Sequence, residues 1–175
     1  MSFDADKLWE RIGELFAEDD GALYDVRLVG LSKASVPRLV GHLQKIAPSF
    51  HGAVWDRTLD KEGDLRDLAQ AALQVVEERF DEFHVSLTGI QMNGVSIPEL
   101  GLWVASDELT FVYRPGKDWS AAVLQAFFEL LYQLNLIEHR LTVDLAPYVA
   151  QEGKDEFSKA YAWYCVNRGS DSKKV

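Results

Sequence analysis

The chain has 175 residues, 47% hydrophobic and 26% charged, with a formal net charge of −10. That length and composition suit one globular domain over residues 1–169 with a frayed tail at 170–175, and they argue against disorder except at the ends. The charge opposes binding to nucleic acid or to an anionic membrane and favours a basic partner, while the lone Cys165 excludes an internal disulfide framework.

Leu8, Trp9, Ile12, Leu15 and Phe16 recur at helical spacing and predict a helix over residues 4–17, capped by Ser2 or Asp4. Ala22, Tyr24, Val26 and Leu28 alternate with polar residues and predict a strand. Ser35-Val36-Pro37 predicts a second helix with Ser35 as N-cap, ended by Ala47-Pro48. Residues 50–56 read as a short strand. Asp64 is the expected start of a third helix, with Leu65, Leu68, Ala69, Ala72, Leu73, Val76 and Phe80 turned inward.

Phe83, Val85 and Leu87 begin a predicted antiparallel meander over residues 83–114. Asn93-Gly94 is its clearest turn, because both residues tolerate positive φ. Pro98 suggests a bulge or an edge. Asp118 is the expected cap of a fourth helix through Leu134, with Asn135 ending it and Phe127 at the centre of its buried face. Ile137, His139, Leu141, Val143 and Leu145 alternate as a strand, with His139 facing the core. A last helix is expected over residues 154–167, closed by Gly169. Helices flanking a run of consecutive strands predict an α+β fold, a mostly antiparallel sheet with about five helices packed on it. A doubly wound parallel sheet is the alternative.

No apolar run approaches the roughly 20 residues of a membrane span. The acidic start lacks the basic and apolar regions of a secretory signal. The expectation is a cytoplasmic protein, and its short loops point to a bacterial source.

Nucleotide-binding glycine patterns are absent, and Gly89 and Gly94 suit hairpins. The four histidines form no metal-ligand spacing. Read as a Ca²⁺ loop from Asp56, the chain places Thr58 at position three, Asp60 at five and Gly63 at eight, so the EF-hand pattern fails. No cofactor or metal is therefore expected. The excess acid falls in two segments. Residues 1–20 hold seven acids against Lys7 and Arg11, and residues 51–82 hold nine against Arg57, Lys61, Arg66 and Arg79. The basic stretch over residues 21–50 is too weak to reverse that field. Cys165, late in a helix, reads as a small core residue.

These features predict a non-catalytic, acidic protein-binding protein. Its expected partner is a basic protein such as a toxin, the physical type being a toxin-neutralising immunity protein. The expected contact residues are Asp56, Asp60, Glu62, Asp64 and Trp163. The alternative is a hydrolase-like enzyme whose site is assembled from His51, Asp56 and His84. A homodimer that buries its aromatic residues is a further option.

Overall fold

The computed structural model describes residues 5–146 and 148–171, the side chains of 169–171 excepted. The expected caps Ser2 and Asp4 lie outside the described residues, as do residues 172–175 of the expected tail.

The architecture is α+β, with six helices and a six-stranded antiparallel sheet with two small hairpins among the described residues. The first expected helix is broken in two, α1 (Ala5–Ile12) and α2 (Glu14–Ala17). The break is at Gly13, where the Trp9 indole folds back so closely that a Cβ would lie 2.7 Å from its ring. Leu8, Ile12 and Phe16 form the buried stripe.

The sheet contains β1 (Tyr24–Val29), β2 (Ser49–Ala53), β5 (Phe83–Thr88), β8 (Leu100–Val104), β9 (Leu109–Tyr113) and β10 (Thr142–Leu145), in the order β10-β1-β9-β8-β5-β2. Two hairpins stand apart from it: β3 (Trp55–Asp56) with β4 (Lys61–Glu62), and β6 (Gln91–Met92) with β7 (Val95–Ser96). Asn93 and Gly94 turn the second hairpin at φ 53° and 80°, as their sequence predicts. The meander holds as β5-β8-β9, with the β6–β7 hairpin as an excursion against the fifth helix.

Period-two alternation gives the sheet two unlike faces. Val26, Val85, Leu87, Leu102 and Phe111 are fully buried against the helices. The opposite, open face carries one row of Asp25, Val112, Gly101, Ser86 and His51, and another of Asp144, Arg27, Thr110, Trp103, His84 and Ala53.

The helical layer is α3 (Ser35–Ile46), α4 (Leu68–Val76), α5 (Ala121–Ile137) and α6 (Gln151–Asp171), with α1 against α5 and α6. Phe127 of α5 is fully buried in an aromatic cluster with Phe16, Phe111, Tyr113 and Trp119. Trp119 has a core role, its indole N–H donating to the Arg114 carbonyl at 2.9 Å.

Several boundaries differ from the sequence reading, each for a local reason. Ala34 takes the N-cap position of α3, and the Ser35 hydroxyl bonds Ser32 and the Glu138 carboxylate instead. Helix α4 starts at Leu68, not Asp64, because Asp67 accepts from the Gln70 N–H while Asp64 closes a turn on Arg66. Its buried face is therefore Leu68, Ala71, Ala72 and Val75, leaving Leu73 only half-buried. Ser120, rather than Asp118, caps α5. That helix runs on through Asn135 to Ile137, and Asn135 uses its side chain to hold the Leu141 carbonyl at 3.0 Å. The last strand is thus short, and His139 is exposed in the connecting turn. Helix α6 begins at Gln151 and continues past Gly169 to Asp171, so Gly169 is not its cap. No helix among the described residues is long and apolar enough to cross a membrane.

Candidate functional site

At the end of β2 the chain leaves the sheet. Val54 turns inward and is buried, which sends Trp55 outward into β3. Strand β3 is held on both sides, by β4 and by residues 79–81. The Arg57 N–H donates to the Arg79 carbonyl and the Asp81 N–H to the Trp55 carbonyl, each at 2.9 Å. The Arg57 and Asp81 side chains add an ion pair.

Asp56 is buried at 3% exposure and ties this corner together. One carboxylate oxygen accepts from the N–H groups of Thr58 and Leu59 at 2.9 and 3.0 Å. The other accepts from the Arg79 guanidinium at 3.1 Å. Burial works to raise its pKa, but the hydrogen bonds from Leu59, Arg79 and Thr58 outweigh it, so the group titrates below its ordinary value. Asp56 therefore organises the hairpin and is not displayed at the surface.

Asp60, Glu62 and Asp64 are exposed, unlike Asp56. Asp60 sits at the hairpin tip with φ 49°. Glu62 lies directly across the ladder from Trp55. Asp64 is held by Arg66, whose hydrogen bonds bring its pKa down to about 2. Among the described residues neither Asp60 nor Glu62 has an ion-pair partner.

Glu62 contributes to a shallow recess of about 350 Å³ lined by Ala53, Val54, Trp55, Glu62, Asp81 and Glu82. A second indole stands beside it, for Trp103 donates its ring N–H to the Glu82 carboxylate at 3.1 Å. Trp55 and Trp103 are 45% and 42% exposed, more than a core role requires. The recess thus combines apolar flanks with acidic groups, a surface suited to a cationic side chain.

Trp163 belongs elsewhere. It lies half-buried on α6, which packs against β10 at the far edge of the sheet. Its neighbours Phe157 and Tyr164 are core residues. Burial pushes the Cys165 thiol pKa up.

His51 and His84 share the open face on adjoining strands, two residues apart in register, His51 opposite Ser86 and His84 opposite Ala53. The His84 ring lies over Gly101, where a Cβ would come within 2.4 Å of its Nε2. The Asp56 carboxylate does not join them, being committed to Thr58, Leu59 and Arg79. Among the described residues no three His, Cys, Asp or Glu side chains are grouped to hold a metal ion.

The two acidic segments are also separated. Asp19 pairs with Arg114 just beyond β9, whereas the β3–β4 hairpin follows Ala53, at the opposite end of the strands. Trp55, Trp103 and Glu82 are the residues that the reading of charge runs missed as a site. The outward parity of Trp103 among Leu100, Leu102 and Val104 was the available signal.

Compared with protein-family models, curated proteins and solved structures, the chain matches none of them.

Proposed function

We propose that this is a non-catalytic binding protein that captures a basic protein partner, of the toxin-neutralising kind, at the recess lined by Trp55, Glu62 and Glu82. The observation that supports the reading is a shallow recess lined by the exposed Trp55 with Glu62 and Glu82, the last of which also holds the exposed indole of Trp103. Tryptophan is a favoured anchor in interfaces, and an indole beside a carboxylate suits a Lys or Arg head group twice over. Asp60 lies outside the recess and acts on encounter, while the charge of Asp64 is offset by Arg66. Asp56 contributes by fixing the hairpin. The reading takes the protein as a cytoplasmic one from a bacterium.

The test uses the protein as bait, with Trp55→Ala and Glu62→Lys variants as controls, followed by association rates of the captured partner at several salt concentrations. The expected partner is basic. Trp55→Ala should raise its dissociation rate at least tenfold, and Glu62→Lys should slow association most at low salt, where the screening length is about 30 Å. A partner indifferent to both variants and to salt would remove the reading.

A further inference from the structure

We propose that the basic partner docks by adding an extended, lysine- or arginine-bearing strand to the outer edge of β2. This rests on the recess as the recognition surface and specifies how the partner is held.

The edge itself is the first observation. β2 is the terminal strand of the sheet and its only ladder among the described residues is with β5. Every residue of it except Phe50 is exposed. An open edge presents a row of backbone donors and acceptors, and a protein ordinarily blunts it with Lys, Pro, a charge or a covering element. Ser-Phe-His-Gly-Ala contains no Lys, no Pro and no acid. The other terminal strand, β10, carries Asp144 and has α6 packed against it. Of the two terminal strands of the six-stranded sheet, β2 is the one left ready to pair.

The second observation joins this edge to the recess. Ala53 is both the last residue of β2 and part of the recess lining. A strand laid along β2 therefore delivers one outward side chain to the Trp55–Glu62–Glu82 corner. Charge decides what that strand is. A second copy carries the same net charge of −10 and is repelled, whereas a basic segment is attracted. Main-chain bonds to β2 then supply affinity, and the side chain beside Ala53 supplies selectivity, as in other strand-addition complexes.

The probe is an octapeptide of alternating valine and lysine, capped at both ends, compared with its fully N-methylated counterpart, which keeps the charge but lacks backbone donors. Binding is measured at 10 mM salt by polarisation of a labelled peptide, and amide hydrogen exchange is followed on the whole protein. The expected result is binding at least tenfold tighter for the unmethylated peptide, with slowed exchange at alternate residues of Ser49–Ala53. His51→Lys, which adds a charge to an exposed edge position, should weaken that peptide at least tenfold. Equal binding of the two peptides without protection of β2 overturns strand addition and leaves the acidic recess as the binding surface. Protection at β10 instead of β2 also overturns it. Binding of neither peptide removes the recess reading and strand addition together. A protein dimer with β2 protected before any peptide is added overturns the choice of occupant.

Discussion

A glutamate stands where a helix usually ends on glycine. Glu78 has φ 62°, just after α4. The Arg79 N–H reaches back to the Gln74 carbonyl and the Glu78 N–H to the Val75 carbonyl, the paired bonds of a Schellman motif. The left-handed conformation costs an ordinary residue about 1–2 kcal/mol, and glycine returns part of that advantage as entropy. Glu78→Gly should therefore stabilise the protein by about 0.5–1 kcal/mol, read as a higher urea midpoint at an unchanged slope.

Glu129 is the other singular residue. It is buried, and accepts from the Tyr164 hydroxyl at 2.6 Å and from the Arg168 guanidinium at 2.8 Å. Burial pushes its pKa up, but Arg168, Tyr164 and Gln133 push it down further, so it lies below the ordinary carboxyl value. A depressed carboxyl stabilises the fold above its unfolded pKa, about 4.3 for glutamate. That contribution is lost as pH falls from there through the folded value. Glu129→Gln should then flatten this part of the acid-unfolding curve. A curve parallel to wild type across that window would show that Glu129 contributes nothing to it.

At the scale of elements, the Asn93-Gly94 hairpin depends on two consecutive positive φ angles. Gly94→Val should destabilise the fold by about 1 kcal/mol or more, since a β-branched side chain adopts that conformation only at a cost. Phe127→Ala should cost roughly 3–5 kcal/mol, because its ring fills a site walled by other aromatics that cannot collapse. Urea midpoints decide both.

Long alternation and helical periodicity made the sheet and the buried faces of α1, α3 and α5 legible, because burial on one face dictates the pattern. Caps were less legible. Asp64 and Asp67 are equally good cap types three residues apart, and what decides between them is the engagement of Asp64 by Arg66 together with the Gln44 side chain, which accepts from the Leu68 and Ala69 N–H groups. Asn135 resembles a helix stop, yet its amide serves the following turn from within the helix. In the candidate site, the hairpin acids could be read directly. The meeting of Trp103 with Glu82 could not, since it depends on the register of β5 against β8.

For the whole molecule, charge sits at separate ends of the sheet. Asp19 is neutralised locally by Arg114, whereas Asp60 and Glu62 have no ion-pair partner among the described residues. Reversing Asp60 and Glu62 to Lys should therefore reduce the low-salt association rate with a basic partner far more than reversing Glu14 and Glu18, which precede Asp19. Equal losses from the two pairs would mean that net charge, and not its placement, steers encounter.

The strand order also sets a timetable for synthesis. β1 comes first in the chain, but its neighbours are β9 and β10, the last two strands made. β2, β5 and β8 can pair as they emerge, while Tyr24–Val29 waits for residues 109–113 and 142–145. At ribosomal speeds of about 5–20 residues per second that wait is on the order of ten seconds. Throughout it Val26 and Leu28, fully buried in the finished protein, remain in water. The nascent chain thus carries a strand with one apolar face unpaired for most of its synthesis, as it does the buried stripe of α1 until α5 and α6 are made, and such segments invite mispairing and are shielded by chaperones.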